Sequence, residues 1–199
     1  MKHYYHPQSR AVTTLWMLTE LGANHDQILV DFPNGENSQP AYRAINPMCK
    51  VPALEDEGVV VTETAAICAY LADKYPEKGF APPVGSTERG AYYRYLFFPG
   101  AVLEPMFSMI QFGVTDYSAQ SAGWGDLDRC LETIEQMTPD SDWALGKQFT
   151  AADIVFGGFL DFAVQFGWLS SPTPKVAAYV KRLKARPAYR DSHDPFWYE

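Results

Sequence analysis

Cysteine is scarce in this chain, and the little there is does not cluster. Cys49, Cys68 and Cys130 are the only three in 199 residues, and there are four histidines. None forms a Cys-x-x-Cys pair or takes metal-ligand spacing, so neither a disulfide framework nor a metal site is expected. Positive charge is also short: 16 Lys and Arg stand against 24 Asp and Glu, a net charge of -8. Nucleic-acid binding draws on clustered cations to displace phosphate counterions, which argues against that class of partner. No apolar run approaches the roughly 20 residues of a membrane span. The opening MKHYYHPQSR has no apolar stretch of the kind a secretory leader carries. A cytoplasmic protein without nucleic-acid or membrane partners is the expectation.

What is present is a first half that alternates strand and helix. His3-Tyr4-Tyr5 reads as a short aromatic strand, punctuated by Pro7-Gln8-Ser9. Val12, Leu15, Trp16 and Thr19 then recur at helical spacing, and Gly22 stands where a helix ends. A second strand is expected at 27–31, a brief helix at 39–44 stopped by Asn46-Pro47, strands at 51–54 and 59–61 around a Glu-Asp-Glu-Gly turn, and a helix at 64–75. The order is β-α-β-α-β-β-α, the thioredoxin-like order, with a parallel first pair and an antiparallel hairpin in one mixed sheet. Pro52 sits inside the third of these strands, although proline lacks the ladder's N–H and is confined to edges, strand starts and bulges.

The second half carries helical periodicity only. The stretch KGFAPPVGST from Lys78 has the Gly, Pro and Ser content of a linker. Beyond it four helices are expected, at 87–112 with an interruption at Pro99-Gly100, at 118–137, from Thr150, and at 174–185 ended by Pro187. Thr150-Ala151-Ala152-Asp153 is a capping-box variant, with Phe149 and Ile154 placed as its hydrophobic staple, which assigns Asp153 to folding. The expected organisation is an α/β domain over 1–77, a linker over 78–86 and an all-α domain over 87–199.

Four pieces, in this order and spacing, make the chain resemble a cytosolic glutathione transferase of bacterial type over nearly its whole length. They are Lys50-Val51-Pro52-Ala53-Leu54, the Thr62-Glu63-Thr64 helix start, the Phe149 to Asp153 staple and box, and Tyr179 through Arg186-Pro187-Ala188-Tyr189. The resemblance implies a thioredoxin-like domain followed by an all-helical domain, a homodimer, glutathione as co-substrate and no metal. It implies a cis Val51-Pro52 bond, with Val51 pairing its backbone to the cysteinyl part of glutathione; a trans proline at a bulge or edge is the alternative. It further implies that Glu63 and Thr64 hold the γ-glutamyl end and Lys50 the glycyl carboxylate. Plain N-capping by Thr62 or Thr64, and a solvated Lys50, are the simpler readings of those residues.

Glutathione attacks as thiolate, and a free thiol is mostly protonated at neutral pH. Ser9, between the first strand and first helix, could give sulfur a hydrogen bond and sit in the helix's positive end; helix capping is the alternative, and Tyr5 is the reserve for the catalytic role. His6 lies near the same turn without a visible partner. Met106, Phe107, Ile110 and Tyr117 belong to an aromatic and Met-rich set that the resemblance places beside a hydrophobic electrophile, though such stripes are more often core. The aromatic tail Phe196-Trp197-Tyr198 has two readings, a cover for that pocket or surface packing. Glutathione-dependent isomerisation or peroxide reduction, and a non-catalytic binding module, are the rival functions.

Overall fold

The computed structural model describes residues 1–193. They separate into one unit formed by Met1–Lys78 with the chain from Ala185 onward, and another formed by Gly79–Lys184. The segment Phe196-Trp197-Tyr198 lies outside the described residues.

The first unit holds the expected βαβαββα order. Strands β1 (Lys2–Tyr5), β2 (Asp26–Leu29), β3 (Ala53–Asp56) and β4 (Val59–Thr62) form one sheet in the order β2-β1-β3-β4. The β1–β2 pair is parallel and the other two are antiparallel. Helix α1 (Ala11–Leu21) makes the crossover, and Gly22, at φ 63°, closes it in the left-handed conformation that a Cβ disfavours. Helices α2 (Pro40–Ile45) and α3 (Thr64–Lys74) follow.

The third strand starts later than its sequence indicates, at Ala53 rather than residue 51. Glu57 (φ 51°) and Gly58 (φ 84°) form a two-residue turn with positive φ at both positions, which sets Asp56 opposite Val59 and carries the ladder through Asp56. Pro52, with no N–H to give, stays outside it. Asp56 is buried at the strand end, where it takes hydrogen bonds from the Tyr70 hydroxyl (2.6 Å) and the Lys74 ammonium of α3.

Side-chain alternation in β1 points His3 and Tyr4 to opposite faces. Tyr4 packs edge-on against Tyr42 of α2, with centroids 5.9 Å apart. His3 is fully buried on the α1 face. The Thr14 hydroxyl gives its hydrogen to the Ala11 carbonyl (2.9 Å), so it accepts from His3 Nε2 at 2.7 Å.

Pro187 does more than stop the preceding helix. It stands at the first position of a further helix, α9 (Pro187–Ser192), where its missing N–H costs nothing. This helix covers α1. Trp16 meets Tyr189 edge-on at 5.2 Å, and Arg186 makes two hydrogen bonds to Glu20, 2.6 and 2.7 Å. Glu20 also accepts the Trp16 indole N–H at 3.0 Å. Residues 185–193 are therefore part of the first unit, whereas the sequence reading assigned all of 87–199 to the helical domain.

In the second unit, Pro99-Gly100 does not split the helix. Helix α4 (Glu88–Phe98) passes through a wide turn, Pro99–Leu103, into α5 (Glu104–Gln111), and the Glu104 N–H bonds the Pro99 carbonyl across five residues. The next helix, α6 (Leu127–Met137), is shorter than the expected 118–137. Residues 118–125 form turns with Gly125 at φ 69°, and the Asp126 carboxylate caps the helix by accepting the Arg129 N–H at 2.9 Å. A second wide turn, Asp153–Gly157, lies near the start of the following helix and leads into α7 (Gly158–Gln165); α8 (Pro174–Lys184) comes last. Gly157 lies so close to α8 that a Cβ there would stand 2.2 Å from a Leu183 methyl.

The capping box forms and extends further than expected. Thr150 Oγ1 accepts the Ala152 N–H (3.3 Å), and Asp153 accepts both the Thr150 N–H (2.9 Å) and its hydroxyl (3.3 Å). The other Asp153 oxygen takes the Ala144 N–H (2.7 Å) and the Tyr179 hydroxyl of α8 (2.8 Å). Replacing Asp153 by Ala strands several buried donors at once. A loss of roughly 3 kcal/mol in urea unfolding is expected, against about 1 kcal/mol for Asp126→Ala at an ordinary cap; equal losses would refute the hub.

Burial, and secondarily His25, pushes the His3 imidazole down to about 3. Folding therefore keeps His3 neutral where the unfolded chain binds a proton, so its contribution is whole above about pH 6.5 and is lost as pH falls toward 3. Burial pushes the Asp153 carboxyl up, which acts in the opposite direction. A comparison at position 3 alone isolates the histidine. His3→Gln, which keeps a donor toward Thr14, is expected to lose less stability than the parent between pH 6.5 and 4 in denaturant melts; parallel curves would contradict this.

Candidate active site

Strand register gathers the candidate residues. Tyr4 pairs with Ala53, and Ala53 pairs with Thr62, so one row crosses three strands. One step beyond that row lie Tyr5, then Pro52 and Val51, then Glu63 and Thr64. All three stretches thus leave the sheet at the same end, where β1 and β2 have their C-termini, the end at which open α/β sheets bind ligands.

The Val51-Pro52 bond is cis. Before it, the chain is tied down through one carbonyl: Lys50 O accepts the Tyr42 hydroxyl at 2.7 Å and the Asn46 side-chain amide at 2.8 Å. Asn37 adds a bond to the Cys49 carbonyl at 3.1 Å. Val51 itself is buried, yet among the described residues neither its N–H nor its C=O has a hydrogen-bond partner. The Lys50 side chain is exposed.

At the start of α3 the capping alternative does not hold. Among the described residues no side chain caps the helix, and its backbone bonds begin with Ile67 N–H to Glu63 O at 2.9 Å. The N–H groups of Thr64, Ala65 and Ala66 have no partner among the described residues, so they and the helix dipole form a positive concavity. Glu63 stands there at φ 71° and ψ 125°, a backbone conformation costly for a residue with a Cβ.

Ser9 is engaged within its own loop. Its hydroxyl donates to the His6 carbonyl (2.7 Å) and accepts the Ala11 N–H (3.1 Å) at the start of α1. Beside this loop, within the first unit, a cavity of about 480 Å³ is lined by Tyr5, His6, Gln8, Gln27 and, from α9, Asp191 and Ser192, with apolar side chains between them.

The helical-unit candidates are placed differently from one another. Met106 and Phe107 are buried in their own unit, where Phe107 stacks on Trp168 at 5.7 Å and meets Phe159 at 6.0 Å. The Tyr117 hydroxyl reaches Met106 Sδ at 3.5 Å, and Ile110 is exposed. Burial pushes the Cys68 and Cys130 thiols up, which fits packing residues rather than nucleophiles. Sequence reasoning missed Tyr42 and Asn46 as the supports of Lys50, since Asn46-Pro47 reads only as a helix stop. It also missed Asp191 and Ser192, whose place on the cavity wall depends on a helix more than 150 residues away in sequence.

A thioredoxin-like sheet unit and a helical unit, with unpaired backbone groups gathered at one sheet end, define the structural class. Residues 9–74 match the family model described as the N-terminal domain of glutathione S-transferase, and residues 117–182 match that of its C-terminal domain. The chain belongs to the glutathione S-transferase family. It is 28% identical over 198 residues to glutathione S-transferase GstA of Escherichia coli O157:H7, covering 96% of each chain. It is 28% identical over 169 residues to a maleylacetoacetate isomerase of Pseudomonas aeruginosa, covering 80% of this chain and 78% of the relative. Among solved structures, a sphingomonad glutathione S-transferase complexed with glutathione superposes with a TM-score of 0.78 at 25% identity, covering 97% of each. Among the described residues no helix is long and apolar enough to cross a membrane.

The Glu63 backbone gives a direct test of what that residue is kept for. Glycine takes positive φ without a Cβ clash. Glu63→Gly is therefore expected to raise unfolding stability of the ligand-free protein by about 1 kcal/mol, read from the urea midpoint. A lowered midpoint would show that the fold itself depends on the glutamate side chain.

Proposed function

We propose that this protein is a glutathione transferase that binds glutathione at the sheet end and directs its thiolate to a small hydrophobic electrophile. The observation that carries this reading is the unpaired backbone of Val51, held in place by the clamp on Lys50. An extended cysteinyl residue offers one C=O and one N–H, and these match what Val51 leaves open, in the manner of an added strand. The uncapped α3 start takes the γ-glutamyl carboxylate through the Thr64 N–H and hydroxyl, and Glu63 takes the ammonium. Lys50 reaches the glycyl carboxylate.

Ser9 supplies the hydrogen bond to sulfur by turning its hydroxyl away from the His6 carbonyl, an exchange of one acceptor for another with little net cost. The adjacent α1 N-terminus adds a positive potential that favours thiolate over thiol. Tyr5, on the cavity wall, is the reserve donor. The homodimer and the cytoplasmic location belong to the same reading; exposed Tyr93 and Phe97, stacked at 6.0 Å on α4, give an apolar face of the kind a second copy covers. The similarity to a maleylacetoacetate isomerase favours a second reading, glutathione-dependent isomerisation at the same site.

Titration calorimetry with millimolar glutathione tests the binding half, and absence of heat or of thermal protection would overturn the proposal. For chemistry, Ser9→Ala is expected to cut conjugation by about tenfold or more while leaving glutathione affinity close to the parent's. Unchanged turnover in Ser9→Ala with a loss in Tyr5→Phe would move the role to the tyrosine.

A further inference from the structure

Two hydrogen bonds close the loop that carries Ser9, and both end on His6. The His6 carbonyl takes the Ser9 hydroxyl at 2.7 Å, and the His6 ring takes the Gln8 N–H on Nδ1 at 3.1 Å. No backbone carbonyl among the described residues accepts that N–H, so the ring is what satisfies it there. Nδ1 accepts only through its lone pair, which makes the imidazole neutral with its hydrogen on Nε2. The ring lies flat against Phe32, with centroids 4.9 Å apart and planes 13° from parallel. A side chain packed on the segment beyond β2 thus fixes the residue just before Ser9. Ser9 in turn meets the first turn of α1, where its Oγ accepts the Ala11 N–H at 3.1 Å and its carbonyl the Val12 N–H at 3.3 Å. Asp31 lies close enough to His6 for the two to interact electrostatically, and hydrogen bonds from the Asn34 side chain and backbone, with His6 adding less, hold its carboxyl below the ordinary value. Tyr5 and Asp191 stand with His6 on one cavity wall. A proton added to His6 would meet these carboxylates, and on Nδ1 it would occupy the lone pair that Gln8 uses.

We propose that His6 is a positioning residue for Ser9: the neutral ring sets the Gln8 peptide, and with it the direction of the Ser9 hydroxyl, and protonation of Nδ1 releases both. This rests on the reading of Ser9 as the donor to the glutathione sulfur. A group displaced by as little as about 1 Å loses much of its effect on a reacting atom. The ring therefore acts on turnover through Ser9 and not by touching the ligand. Its effect falls on kcat rather than on glutathione affinity, which in the same reading rests on Val51, Glu63 and Thr64. The sign follows from the lone pair: the loop is held while His6 is neutral and let go in acid.

Two variants separate the properties of the ring. His6→Phe keeps the stack on Phe32 and has no acceptor, whereas in His6→Asn the side-chain oxygen stands where Nδ1 does, accepts at every pH and takes no proton. With benzyl chloride near neutral pH, His6→Phe is expected to lower kcat about fivefold, the factor that one net hydrogen bond carries, with glutathione affinity unchanged, and His6→Asn to recover most of that loss. As pH falls from about 8 to 5, the range in which an imidazole takes a proton, the activity of the parent relative to His6→Asn is expected to fall, the thiol's own titration being common to both. In a Ser9→Ala background His6→Phe is expected to add nothing. An undiminished kcat in His6→Phe, no recovery in His6→Asn, a pH-independent ratio, or losses additive with Ser9→Ala overturns the assignment of His6 while leaving the transferase reading intact. If the parent shows no glutathione-dependent turnover, that reading fails, and the amide NMR signals of Gln8 and Ser9 decide the positioning alone. A shift that follows pH in the parent and not in His6→Asn supports it, and the same behaviour in both overturns it.

Discussion

Two hydrogen bonds on a single oxygen, the Lys50 carbonyl, hold the arrangement on which the candidate site depends. The donors come from different places: Tyr42 from α2, and Asn46 from the residue just past that helix. Burial pushes the Tyr42 phenol up to about 12, so it remains a donor throughout the neutral range. Tyr42 packs against Tyr4, which ties the clamp to the central strand of the sheet. Each bond alone adds only about 1 kcal/mol. Their geometric effect is larger, because they fix the peptide immediately before Val51, whose unpaired N–H and C=O are thereby carried on a tethered segment rather than a free loop.

The site otherwise joins ordered and strained backbone. The Thr62 end of β4 is held in the ladder, whereas Glu63, one residue on, is forced to positive φ before α3 begins. That kink aims the first N–H groups of the helix at the same sheet end as Val51. Strain of this kind persists only where the surrounding structure over-determines it, and here a paired strand precedes it and a helix with a buried inner face follows it. In the helical unit the corresponding fixed point is Asp153, a buried carboxylate that joins the start of one helix to Tyr179 of another.

Much of this was legible in the sequence because it depends on local rules. Period-two and period-3.6 patterns placed the sheet and α1, the box at Thr150 marked a helix start, and the Lys50 to Leu54 and Thr62 to Thr64 segments identified the family. What was not legible depended on tertiary context. Proline at 99 reads as an interruption that kinks or splits the helix, and only the structure decides between them: the α-helix gives way there to a wide turn that absorbs the missing N–H without ending the helical run. Proline at 187 reads as a stop, yet it is a start. Ser118 to Gly125 has no pattern that excludes helix until Gly125 and the Asp126 cap are seen to begin the helix later. Phe107 could not be assigned to core or pocket without knowing that Phe159 and Trp168 pack on it, nor Met106 without knowing that it is buried beneath the Tyr117 hydroxyl.

The return of α9 to the first unit has a consequence for synthesis. The Glu20–Arg186 pair spans 166 residues of chain, so at roughly 5–20 residues per second the ribosome completes the partner on the order of ten seconds or more after the glutamate. Through that interval the nascent sheet unit has its strands and α1, but Trp16 lacks the ring of Tyr189 and Glu20 lacks its cation. The unit made first is therefore the one finished last, and a chain cut at the linker would free a segment that is contiguous in sequence but incomplete as a folding unit.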